Sequence, residues 1–166
     1  MRRLLWAAGA VLVLLGACAS STTFGPVRMD VPEGWQVTRR SSDSFQLAQG
    51  TAASDTDDAP GTATAVFDVY LSSDQTPDGY RERLREGGVG AKVEEWTVNG
   101  EKAVVLSYEG PATAGPQEAV IFPSRRVLIV YRAAFPNDRA AFNKGLPAFR
   151  RTVRSIEFIG PADRRA

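Results

Sequence analysis

Downstream of residue 23 the chain is written mostly in short runs bounded by Gly, Pro, Asn or Asp. Apolar and polar positions alternating with a period of two mark half-buried strands. Val27–Val31 and residues 35–38 are two such runs around Pro32-Glu33-Gly34, where proline and glycine suit a type I turn. Ser44–Gln49 is a third, and residues 62–71 a fourth, with Phe67, Val69 and Leu71 on one face and Val66, Asp68 and Tyr70 on the other. Residues 92–98 and 101–108 flank Asn99-Gly100, a pair that tolerates the positive φ angles of a type I′ turn, so the spacing predicts a two-residue hairpin. Residues 117–122 and 127–134 predict another strand pair turning at 123–126.

The pattern changes to helical spacing twice. Thr76 and Pro77 open a short helix in which Tyr80 and Leu84 face the core, and Gly87-Gly88 ends it. Over residues 137–156, Phe142, Leu146, Phe149, Val153 and Ile156 form one apolar stripe. Gly145 and Pro147 interrupt that stripe, which predicts a kink or two abutting segments. Residues 50–61 have no periodicity and read as a loop. Many strands joined mostly as hairpins, with two helices, predict an α+β fold: an antiparallel sheet with helices on its faces.

The first 23 residues follow a different plan. Arg2 and Arg3 precede an uncharged run from Leu4 to Leu15, the layout of a secretory signal peptide and too short for a bilayer span of about 20 apolar residues. Leu15-Gly16-Ala17-Cys18 resembles the lipobox of bacterial lipoproteins. That resemblance implies a signal peptide over 1–17, removed before Cys18, with a diacylglyceryl group on the Cys18 sulfur and a further acyl chain on the new amine. Several chains matter because one alone binds a membrane only marginally, at about 0.8 kcal/mol per buried CH₂. The mature protein is then a membrane-anchored lipoprotein facing the periplasm or cell exterior. Ala19, not Asp, follows the cysteine, which in Gram-negative lipoproteins permits outer-membrane sorting. Residues 18–23 read as the lipidated cysteine and a short polar tether, 24–160 as one domain, and 161–166 as a C-terminal tail.

Composition narrows the chemistry. Cys18 is the single cysteine, so no disulfide supports the fold. Without the leader the chain carries 18 basic and 19 acidic residues, split into a net of −6 over 19–100 and +5 over 101–166. This balance argues against a nucleic-acid binder, which needs a basic excess. There is no histidine. That excludes a Ser-His-Asp or Cys-His triad and histidine-ligated zinc or haem. No cofactor is predicted.

Several clusters invite a chemical reading and fit a plainer one. Asp55, Asp57 and Asp58 lack the glycine and the glutamate that an EF-hand spacing requires, so no metal site is expected. Gly87 to Lys92 resembles a phosphate loop, but Ala91 and Val93 stand where glycine and Ser/Thr belong; a helix stop fits better. Glu94 and Glu95 are adjacent on a strand and point to opposite faces. Trp35, Trp96, Tyr70, Tyr108 and Tyr131 fit either core positions or an aromatic-lined cleft for a small molecule. Arg150, Arg151 and Arg154, with Arg164 and Arg165 beyond, complement a helix C-terminus or form a face for anionic lipid headgroups or an acidic partner.

Two stretches resemble one known family. Val31-Pro32-Glu33-Gly34-Trp35 resembles the Pro-x-Gly-Trp near the start of PsbP-like proteins, the extrinsic photosystem II subunits and their relatives. Ser155-Ile156-Glu157-Phe158, after a strand, an Asn/Asp turn and an amphipathic helix, is similar to the ending of such domains. The resemblance implies an α-β-α sandwich around an antiparallel sheet, as also found in a nuclear Ran-binding protein and several bacterial lipoproteins. It further implies a non-enzymatic role in docking to, or assembling, a membrane complex. The family's histidine-dependent metal binding has no counterpart in a chain without histidine.

Overall fold

The computed structural model describes residues 20–50, 63–110 and 114–160. The leader, Cys18, Asp55, Asp57, Asp58, Arg164 and Arg165 lie outside the described residues, as do nearly all of the expected 50–61 loop and the 161–166 tail. Ten strands and two helices follow in the order β1 (Ser20–Phe24), β2 (Val27–Val31), β3 (Trp35–Arg40), β4 (Ser44–Gln49), β5 (Ala65–Tyr70), α1 (Pro77–Glu86), β6 (Ala91–Val98), β7 (Glu101–Glu109), β8 (Pro116–Phe122), β9 (Val127–Ala133), α2 (Arg139–Arg154) and β10 (Glu157–Phe158). A 3-10 turn, Pro123–Arg125, joins β8 to β9. Among the described residues no helix is long and apolar enough to cross a membrane.

Seven strands form one sheet in the order β3-β4-β5-β9-β8-β7-β6, and β1-β2-β10 form a second, smaller one. Every pairing is antiparallel. The Asn99-Gly100 hairpin is present, with Val98 opposite Glu101 and both turn residues at positive φ. β3 runs on to Arg40 past a register shift between Val37 and Arg39.

Alternation divides the large sheet between two clusters. Ala103, Val105, Val120, Phe122, Ile129 and Tyr131 point to one face and join Phe142, Phe149, Val153 and Ile156 of α2, together with Val27, Met29 and Val31 of the small sheet. Leu106, Tyr108, Ala119, Ile121 and Leu128 point the other way, against Tyr80 and Leu84 of α1. The two helices therefore approach from opposite faces, and α2 shares its face with the small sheet. α1 starts as its sequence requires: Thr76 Oγ1 accepts from the Gly79 N–H at 3.1 Å, and Gly87 closes the last turn onto the Arg83 carbonyl.

Two expectations are corrected. Residues 20–23 are not tether. They belong to β1, each opposite a β2 residue from Ser20↔Val31 to Thr23↔Arg28, because polar Ser and Thr suit an exposed edge strand pinned by the Phe24–Phe45 contact at 4.7 Å. And α2 is one continuous helix through Gly145 and Pro147. It starts at Arg139, with Asp138 accepting from the Ala141 N–H as N-cap after Asn137 at φ +65°. Proline sits on its exposed side, where water can serve the carbonyl it leaves unpaired. Gly145 has a packing role. A Cβ there would stand 2.3 Å from the Tyr131 hydroxyl. That hydroxyl donates to the Phe142 carbonyl at 2.8 Å, and the Tyr131 ring stacks on Phe149 at 4.8 Å.

Glu101, at the start of β7, closes the far end of the sheet. It accepts from Ser124 Oγ at 2.7 Å and from Arg125 Nε at 2.9 Å, and Arg125 also donates to the Gly160 carbonyl at 2.8 Å.

Gly145→Ala should destabilise the protein by about 1–3 kcal/mol through overpacking. Adding Tyr131→Phe should recover part of that loss, seen as positive coupling in a urea-unfolding double-mutant cycle. The Ser124 hydrogen bond, and then Arg125, hold the Glu101 carboxyl below the usual glutamate range. Its folded-state value is the depressed one, so its stabilisation is complete above the ordinary glutamate range and is lost as pH falls through and below it. Glu101→Gln should flatten the acid limb of stability against pH, measured as urea midpoints from roughly pH 3 to pH 7.

Candidate functional site

Three hollows flank α2 and the sheet. One, of about 470 Å³, lies between the outer face of α2 and strands β6, β7 and β8, and is lined among others by Lys92, Glu94, Tyr108, Glu118, Phe142 and Leu146. A second, of about 450 Å³, opens on the opposite face, beside Asp68, Tyr70, Gln117 and Arg132. A third, polar and about 260 Å³, sits at the C-terminal end of α2 among Arg28, Asp30, Asn99, Arg154 and Ser155.

The groove beside α2 holds a buried charge that sequence reasoning missed. Glu118 is 1 % exposed. Arg150 reaches down from α2 and grips it with two nitrogens, Nε to Oε1 at 3.0 Å and Nη2 to Oε2 at 2.5 Å; Ser107 Oγ adds a third bond at 3.0 Å. Burying a carboxylate is expensive unless it is paired and hydrogen-bonded in this way. The signal was available: in β8 Glu118 alternates in phase with Val120 and Phe122, so it faces the core side and demands a partner. The pairing raises the Arg150 pKa further above its usual value.

The three arginines singled out in the sequence have different situations. Arg150 is tied to Glu118. Arg154 lies over the Trp96 ring, 4.9 Å from its centroid, with Arg150 at 5.7 Å from the same ring. Arg151 is exposed. The remaining charges of the groove are also matched, Lys92 with Glu94 and Arg139 with Glu109, both at 2.8 Å. Lys92 and then Trp96 hold the half-buried Glu94 carboxyl low.

The five aromatics do not meet in one cleft. Trp35 and Tyr131 are core residues beside Phe67 and Phe149. Trp96 underlies the two arginines. Tyr70 is 41 % exposed at the second hollow. Tyr108 borders the first, but its ring turns to the opposite face of the sheet, toward α1, where its hydroxyl donates to Gln117 at 3.0 Å and lies 2.7 Å from that of Tyr80. Burial, with Tyr80 alongside, pushes the Tyr108 pKa far up, so it stays protonated at neutral pH. Glu94 and Glu95 pair with successive β7 residues and so point to opposite faces. Among the described residues no three His, Cys, Asp or Glu side chains gather as metal ligands would. The groove offers alternating charges closed into pairs.

No protein-family model matches the sequence, and no curated protein matches it either. Solved structures are similar in fold. Cyanobacterial PsbP (CyanoP) from Synechocystis sp. PCC 6803 is 14 % identical, with 93 % of this chain and 98 % of that one covered and a TM-score of 0.48. The Ran-binding protein Mog1p of Saccharomyces cerevisiae is 11 % identical, covering 85 % and 96 %, with a TM-score of 0.49. PA94 of Pseudomonas aeruginosa, a protein of unknown function described as a putative regulator, is 14 % identical, covering 82 % and 94 %, with a TM-score of 0.46.

Arg150→Met should cost about 3–5 kcal/mol, because it strands the buried Glu118 carboxylate. Arg150→Met combined with Glu118→Leu should recover most of it. Equilibrium unfolding of the two variants checks the order.

Proposed function

We propose that the protein is a lipid-anchored component of the cell envelope that docks to, or helps assemble, a membrane complex through its surface, without catalysing a reaction. The observation that carries this reading is the sequence Leu15-Gly16-Ala17-Cys18 placed two residues ahead of strand β1. A lipidated Cys18 then holds a folded domain directly at a membrane. The matched charges of the groove favour a contact role over acid–base chemistry. In this reading the layers form an α-β-α sandwich in which α2 and the small sheet share one outer layer.

A second reading has support of its own. The 470 Å³ groove falls in the size range of small-molecule sites and sets Phe142 and Leu146 beside three ion pairs. A polar, zwitterionic ligand is the kind it would take.

Cys18→Ser should abolish lipidation and release the protein from the membrane fraction; a variant retained like the parent would refute the anchor. Crosslinking of the lipidated protein in cells, followed by affinity purification, should recover one membrane complex repeatedly. A partnerless protein carrying a ligand in native mass spectrometry would favour the second reading.

A further inference from the structure

We infer that the lipidated domain rests on its own bilayer through one end, built from the start of β1, the β2–β3 turn and the last turn of α2, with Arg151 and Arg154 in the anionic headgroup layer. This rests on the lipidation of Cys18 proposed above and adds an orientation and a lipid class to it.

The argument is one of reach. Two residues of chain span at most about 7 Å however they run, so the Cys18 Cα lies within that distance of Ser20. The headgroup region on each side of a bilayer is roughly 5–8 Å thick. Ser20 is fixed to the domain, because β1 pairs with β2 from Ser20↔Val31 to Phe24↔Val27. It therefore cannot stand away from the headgroups while the strand is paired. What lies beside it follows. Val31 leads directly into the turn at Pro32, Glu33 and Gly34. Ser21 is opposite Asp30, and the Asp30 N–H donates to Ser155 Oγ at 2.9 Å. The end of α2 is thus about two strand spacings, near 10 Å, from β1.

That end of the helix is basic and faces outward. Arg151 and Arg154 are both exposed, and Arg154 is held in place by its stack on Trp96. Arg150 is excluded from the surface role by its grip on Glu118. Asp30, Glu33 and Glu157 lie at the same end, Glu157 being 3.8 Å from Arg28. These carboxylates offset Arg28 and the two arginines over the end as a whole, so the proposed anionic contact is confined to the Arg151–Arg154 turn. α1 packs on the opposite face of the large sheet from the small sheet that carries β1, which makes it the reference for a surface turned away from the lipid.

The test uses the full lipidated protein. Lipidation consumes the thiol of the chain's one cysteine, so a second cysteine can be labelled alone. Glu33→Cys and Glu82→Cys, the latter on α1, each carry a fluorophore, on vesicles bearing a headgroup-attached quencher. The vesicles are phosphatidylcholine, with or without phosphatidylglycerol. Quenching at position 33 should exceed that at position 82 by roughly twofold or more with phosphatidylglycerol, and less on phosphatidylcholine alone. Arg151→Gln, at an exposed position, should shrink the difference, and Arg151→Gln with Arg154→Gln should shrink it further. Equal quenching at both positions overturns the orientation, and a difference indifferent to lipid charge and to both arginines overturns the headgroup contact. The mass of the N-terminal peptide separates these failures from that of the premise: no lipid on Cys18 sinks the anchor itself.

Discussion

The close approach of α2 to β9 sets the rest of the molecule. With no Cβ at Gly145, the helix lies low enough for Tyr131 to sit beneath it and bond the Phe142 carbonyl. Phe149 then stacks on the same ring, and Val153 and Ile156 continue the contact into the small sheet. Everything polar about the helix inherits this height and azimuth. Arg150 arrives directly over Glu118, Arg154 over Trp96, and Ser155 beside Asp30. The groove along the helix is the space left where the outer strands β6 and β7 pass beyond the helix's reach.

The charges sort by the same geometry. A carboxylate as deeply buried as Glu118 is tolerable only because a bidentate guanidinium and a hydroxyl meet it. Glu101 is met in the same way by Ser124 and Arg125 at the other end of the sheet. The Glu118–Arg150 pair ties α2 to the sheet and so specifies how those layers seat on one another, while Glu101 ties β7 to the β8–β9 turn within the sheet.

Much of this was legible in the sequence, and the exceptions share a cause. The β6–β7 hairpin was readable because Asn-Gly dictates its own turn, and the core stripe of α2 because its spacing is local. The continuity of α2 was not. Gly145 and Pro147 look like breakers until the tyrosine beneath one and the solvent beside the other are known. Strand β1 was hidden because Ser-Ser-Thr-Thr has almost no apolar signal and is held by a ladder to β2 and one aromatic contact at Phe24. The β5–β9 pairing and the Glu118–Arg150 bond are non-local, and no window of residues contains both partners. The leader and Cys18 rest on sequence alone.

Strand β2 has two neighbours, and they come from the two ends of the described chain: β1 just before it and β10 after nearly everything else. The central β5–β9 pairing likewise waits for a strand made long after β5. Loop closure of that length slows folding. A chain delivered N-terminus first thus holds its early strands without their final partners until the last segment arrives. The last seams of the two sheets, β2–β10 and β5–β9, are therefore closed by the C-terminal part of the chain.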